Sequence, residues 1–224
     1  GVRAHSRYQT DLFGRLQGTS RWLTITTFGS KELIEKEAAR VNAMHSKVSG
    51  EFKDKADRIS EYKASEPKFL LWVHCAFTES FLEAHKICKY SMKNSADEYV
   101  GQWSKSAVPL GLEQTPKSEV ELKLEIARFM KQELTFSKET AEVIEFILNP
   151  PFGPISLFFY RALAKTAVRS LSESERDLLK LKMPAKIWEY LARFNLWVLR
   201  KALGPYSPAQ IAAVNRNQRL KIGS

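Results

Sequence analysis

The stretch "PKFLLWVHCAFTESFLEAHKICKYSM", Pro67 to Met92, decides the fold. Its leading proline suits a first helical turn, where no amide hydrogen bond is lost. Between Phe69 and Phe77 the residues are apolar on nearly every side, so the segment predicts a central helix surrounded by others rather than one lying on the surface. Leu71, His74, Phe77, Thr78, Phe81 and His85 share one face, which puts two imidazoles and a hydroxyl in a strip of leucines and aromatics. The apolar run holds only nine residues, His74 included, before Thr78 and Glu79 interrupt it. That is far short of the ~20 needed to span a bilayer.

Working outward, patterns of period 3.6 with cap signals recur along the whole chain, and no alternating strand pattern bounded by hairpin turns stands out. Upstream, Asp11 to Phe28 reads as a helix closed by Gly29, and Ser30 caps another that reaches about Val48. A polar connection, "EFKDKADRISEYKASE", leads to Pro67. Downstream, helices are predicted at about 96–107, 118–134, 138–148, 155–171, 172–181, 184–203 and 208–217, with Ser118, Ser137 and Ser207 as N-caps and "NPPFGP" as a firm break. The expectation is an all-α fold: one globular domain, residues 1–224, of about nine or ten helices around a buried pocket.

The formal charge is +10, from 35 Lys and Arg against 25 Asp and Glu. From Pro184 onward, seven basic residues face Glu189 alone, so more than half the excess sits in the last fifth of the chain. Lys186, Arg193 and Arg200 repeat at i, i+7 and i+14 beside Tyr190 and Trp197, a stripe suited to a membrane interface or an acidic partner. No nucleic acid is expected, because charge is the only feature favouring it and no recognition motif accompanies the basic tail. Cys75 and Cys88 stand thirteen residues apart in apolar helical sequence and read as buried thiols rather than a disulfide or zinc pair. No transmembrane run or secretory signal is present, which predicts a cytoplasmic or peripheral-membrane placement; "GVRAHSRY" reads as the middle of a protein.

Chemistry concentrates in two other segments. In "ARVNAMHSKVSG", residues 39–50, His45 continues the seam of Ile34, Ala38 and Val41, so its imidazole lies among apolar side chains and needs a partner. That partner is either a neighbouring carbonyl or something that is not protein. In "DLFGRLQGTSRWL", residues 11–23, Leu12, Arg15, Thr19 and Trp22 share a stripe, with Gly14 and Gly18 one turn apart beside it. Each interior glycine costs a helix about 1 kcal/mol relative to alanine. The pair therefore implies close approach by another helix or by a flat ligand to which Arg15 and Thr19 offer donors. No HExxH, phosphate loop, nucleophile elbow or paired Glu-x-x-His repeat is present. A mononuclear metal held by His45, His74 and a carboxylate such as Glu79 is the remaining template.

Three stretches, "GVRAHSRYQTDLFGRLQGTSRWLTITTFGS" (1–30), "ARVNAMHSKVSG" (39–50) and "YKASEPKFLLWVHCAFTESFL" (62–82), resemble in order and spacing the catalytic domain of the rubber oxygenases (latex clearing proteins) and MpaB-like oxygenases. The resemblance runs to about residue 205 and leaves 206–224 as a basic tail. It implies an all-helical domain holding haem b, which with dioxygen cleaves or oxidises a C=C bond of an apolar, isoprenoid-like substrate. By the same resemblance His45 is the proximal iron ligand, Arg15 and Thr19 are the distal polar residues, and Gly18, Trp22 and His74 border the cofactor. Where rubber oxygenases carry a lysine just before the threonine, this chain has Gly18, implying a more open distal side. The family's glutamate base would fall before Gly1. The alternative function is a non-enzymatic helical module that docks through its basic C-terminal face.

Overall fold

Serine hydroxyls set most of the helix starts. The computed structural model describes residues 12–56 and 58–222, without the side chains of 12, 13, 15 and 220–222. Helix α1 (Leu12–Phe28) ends at Gly29, and α2 (Lys31–His45) begins under Ser30, whose side chain accepts the Leu33 amide. A short antiparallel pair follows, β1 (Ser49–Lys53) and β2 (Ile59–Lys63). The long helix α3 (Pro67–Cys88), then α4 (Ala96–Trp103) and two single 3₁₀ turns lead to α5 (Glu119–Gln132) and α6 (Lys138–Leu148). The chain continues through α7 (Pro154–Ser170), α8 (Glu173–Leu178), α9 (Ile187–Leu203) and α10 (Pro208–Ile222). The fold is therefore largely all-α, with ten helices among the described residues. Ser118, Ser137 and Ser207 each accept an amide three residues on, as N-caps do.

The β-hairpin lies where the sequence predicts only a polar connection. Gly50 opposes Tyr62 and Phe52 opposes Ser60. Phe52, Tyr62 and Phe69 meet edge to face at 5.8–6.2 Å, so the hairpin closes over the first turn of α3. Asp54 shapes the turn by accepting the amides of Ala56 and Arg58.

Around α3 the core is apolar. Cys75, Leu82, Val100, Leu122 and Ile126 form one buried cluster from α3, α4 and α5, and Trp72 packs on Phe129 at 5.2 Å. Burial pushes the Cys75 thiol up to about 12, so it stays protonated and unreactive. The expectation of a helix enclosed on all sides is corrected at Val73, which is 49% exposed. The helix also stops at Cys88, earlier than predicted, because Lys89 turns left-handed at φ 55°. Arg193 of α9 then donates to the carbonyl of Ile87. This guanidinium satisfies one of the carbonyls that a helix end leaves without an intrahelical partner.

Helices α7 and α9 run antiparallel, joined by Asn195 to the Phe159 carbonyl at 3.1 Å, Thr166 to the Trp188 carbonyl at 2.9 Å and Arg169 to Glu189 at 2.7 Å. Arg169 also donates to the carbonyl of Pro184. These contacts turn Glu189 and Asn195 of α9 inward.

Candidate functional site

Of the residues singled out by the sequence, Arg15, Gly18, Thr19, Trp22 and His45 lie on the α1–α2 hairpin. Its tight link requires a glycine: a Cβ at Gly29 would collide with the carbonyl oxygen of Ile25. Arg216 of α10 donates to the carbonyls of Phe28 at 2.9 Å and Gly29 at 3.1 Å, tying the C-terminal helix to this joint. The two arms are clamped by Glu37, which is 1% exposed and accepts from Arg21 of α1 at 3.0 Å and from Arg40 at 2.6 Å. Arg40 first, and Arg21 after it, hold the Glu37 carboxyl below the ordinary carboxylate range against the opposing effect of burial.

This clamp fixes the level of everything beyond it. Arg15 stands six residues from Arg21 and His45 eight residues from Glu37, both away from the Gly29 joint. At 1.5 Å per residue these are axial offsets of about 9 and 12 Å. The backbone positions of Arg15, Gly18, Thr19 and His45 therefore fall on the open side of the clamp. The Arg15 side chain, like Asp11 before it, lies outside the described residues.

Gly18 and Thr19 are half-buried, as is Trp22 one turn on. Among the described residues, no other segment approaches Gly18, since a Cβ built there would meet nothing within 4 Å. Packing against another described helix is thus not what calls for this glycine. His45 closes α2 as its last residue, and its Nδ1 is buried with no hydrogen-bond partner among the described residues. A helix C-terminus favours imidazolium. Burial nonetheless lowers the pKa of His45, favouring a neutral ring whose Nδ1 no described residue takes.

His74 lies in a different environment. It is 8% exposed in the middle of α3, and burial pushes it down to about 4. Helix α3 packs mainly on α5 and α7, with α4 and α9 beside them, whereas α2 rests on the 3₁₀ turn at Val108–Leu110. Phe77 and Phe81 stack at 5.7 Å, and Phe81 meets Trp103 of α4 edge-on at 5.7 Å. This α4 ring thus covers part of the aromatic strip expected to wall a pocket. Among the described residues no group of three or more His, Cys, Asp and Glu could hold a metal, which removes support for the His45, His74 and Glu79 template.

The opposite face of α3 borders a cleft of about 190 Å³, lined among others by Trp72, Glu79, Ser80, Met130, Glu175 and Leu178. Burial first, and then the facing Glu175 carboxylate, push Glu79 up to about 8, so it holds a proton at neutral pH. The cleft is lined by no residue of the α1–α2 hairpin.

Glu37, Arg216 and Glu175 were not anticipated. For Glu37 a signal existed: it falls in the same seam as Ile34, Ala38, Val41 and His45, and a carboxylate there implies a buried ion pair. Arg216 and Glu175 act across separations that local periodicity does not encode.

The stripe of Lys186, Arg193 and Arg200 does not form one outward face, because Arg193 points inward to Ile87 and Glu189. Among the described residues no helix is long and apolar enough to cross a membrane. No curated protein and no solved structure matches the chain significantly. A family model does: the one described as "ER-bound oxygenase mpaB/B'/Rubber oxygenase, catalytic domain" matches residues 1–204. With nearly the whole chain covered, the protein belongs to the mpaB and rubber oxygenase catalytic domain family.

Proposed function

We propose that this oxygenase-family domain binds haem b through His45 and oxidises or cleaves a C=C bond of an apolar, isoprenoid-like substrate. The observation that carries the reading is the Nδ1 of His45, buried and without a partner among the described residues. A neutral imidazole is what metal ligation requires, and burial keeps this ring neutral. The open space over Gly18 among the described residues supports it independently, since a flat macrocycle can lie against a stretch of helix that carries no side chain.

Bound haem would supply the iron centre at which dioxygen is used. The chain's own residues supply the rest. His45 would hold the iron from α2. Arg15 and Thr19, one turn apart on α1, would supply a guanidinium and a hydroxyl able to stabilise negative charge that develops in the reaction. A buried guanidinium costs several kcal/mol unless paired, and a haem propionate is a suitable partner. Trp22 shares the Thr19 face and would keep water from an apolar chain. His74, held neutral in the core, would support the pocket without ligating.

The test is an absorption spectrum after haem addition to the wild type, His45→Ala and His74→Ala. A Soret band in the wild type and His74→Ala but not in His45→Ala is expected. A protein that takes up no haem, or a band that vanishes only in His74→Ala, would overturn the assignment.

A further inference from the structure

Helix α9 is amphipathic in the wrong sense for a helix that faces water. Its inward side carries Glu189, Ala192 and Asn195, all buried. Its outward side presents Tyr190, Phe194 and Trp197, the last 56% exposed, with Phe194 and Trp197 stacked at 6.0 Å. The bond from Asn195 to the Phe159 carbonyl sets the first turns of α7 beside the second half of α9. The exposed rings of Phe158 and Phe159 thereby lie near the same end of the pair. An apolar surface of this kind marks an interaction site rather than ordinary solvated surface.

Charge decides which partner fits. Arg200 and Lys201 are exposed next to Trp197, and α7 contains no acidic residue. The acidic residue of α9, Glu189, is buried between Arg169 and Arg193. The surface thus combines aromatic rings with uncompensated positive charge. A protein groove would meet the rings, but an anionic lipid surface meets the rings and the charge together. With 17 residues, several of them charged, α9 suits an interfacial depth.

We infer that α7 and α9 form a docking face for an anionic bilayer surface, with Phe194 and Trp197 entering the headgroup and acyl boundary and Arg200 and Lys201 meeting lipid phosphates. Such docking would let a domain acting on apolar chains draw them from the bilayer, but the face stands independently of the haem assignment.

The test is co-sedimentation of the 224-residue chain with phosphatidylcholine vesicles, with and without phosphatidylserine. Stronger binding to the anionic vesicles, released by salt, is expected. Phe194→Ser/Trp197→Ser should weaken partition roughly tenfold or more, given the apolar area withdrawn from the bilayer. Arg200→Gln/Lys201→Gln should weaken anionic binding roughly fivefold per charge and leave neutral-vesicle binding unchanged. Quenching by brominated acyl chains should fall in Trp197→Phe. All four side chains are exposed, and an unchanged circular dichroism spectrum would confirm that the fold survives. Vesicle binding that persists in Phe194→Ser/Trp197→Ser would overturn the proposal. So would absence of binding, or a dimer in solution that this double variant turns into a monomer, which would give the face to a second copy.

Discussion

The α3–α5 core and the α1–α2 hairpin are held together by opposite means. The core buries Cys75, Leu82, Val100, Leu122 and Ile126 against one another, with no charge among them. The hairpin buries Ala38 and Val41 around a carboxylate, leaves Leu16, Leu33 and Met44 exposed, and relies on guanidinium contacts from Arg21, Arg40 and Arg216. Apolar packing is non-directional and strong, whereas polar ties fix geometry at modest net gain. The arm that carries the candidate site is thus positioned more firmly than it is stabilised. Such an element can gain stability from a ligand that binds only the folded state.

The largest expected effect breaks the comparison on the core side. Leu122→Ala, at a site 1% exposed, should cost about 2–5 kcal/mol through lost transfer energy and an unfilled cavity. Chemical denaturation would show this as a lower midpoint with the slope preserved, since the whole fold depends on that cluster. A cost under about 0.5 kcal/mol would mean that the cluster is not the source of cooperativity.

On the hairpin side, Arg40→Ala leaves the buried Glu37 with Arg21 alone. The expected cost is about 1–3 kcal/mol, the range for a buried acceptor that loses a charged donor. The readout that separates geometry from stability is hydrogen exchange. Amides of α1 and α2 should exchange faster in Arg40→Ala, while those of α3 and α5 keep wild-type protection. Uniform loss of protection would mean that hairpin and core unfold as one unit.

The same contrast explains what the sequence discloses. Caps and periodicity are local, so α6 is legible to the residue, from Lys138 to Leu148, and Ser30, Ser118, Ser137 and Ser207 are legible as caps. The β-hairpin is hidden because its inward positions include Gly50 and Ser60, so burial alternates where hydrophobicity does not. His45, Gly18 and Thr19 are legible as chemistry-bearing residues within their helices. Their placement beyond a buried clamp depends on Arg21 meeting Glu37 across sixteen residues, which no single-helix pattern contains. The inward turn of Arg193 escapes for the same reason: its partner carbonyl belongs to Ile87.

Two buried titrating groups near the core give smaller, opposed effects of pH. His74 has an ordinary value of 6.5 and is pushed down to about 4, so between those values the unfolded chain binds the proton that the folded one refuses. Stability should therefore fall as pH drops from about 6.5 to about 4. Glu79 is pushed up from 4.5 to about 8, so the folded chain keeps its proton longer, and stability should fall as pH rises between those values. His74→Gln should flatten the acid side of the profile, and Glu79→Gln the alkaline side. Denaturation midpoints measured across this range check both, and a profile unchanged by either substitution would show that the two groups are solvated in both states.

The smallest effect is the sharpest for the site. Gly18→Ala adds a methyl group that meets no atom of another described segment, so the helix should gain stability, up to about 1 kcal/mol from propensity alone. If the space over α1 is where the haem lies, the same methyl group must crowd it, and haem affinity should fall as the apoprotein becomes more stable. Opposite signs in the two measurements, thermal midpoint without haem and titrated affinity with it, separate a ligand surface from a solvated one. Equal affinity in both variants would place the haem elsewhere, and a destabilised apoprotein would show that another part of the chain already occupies the space over Gly18.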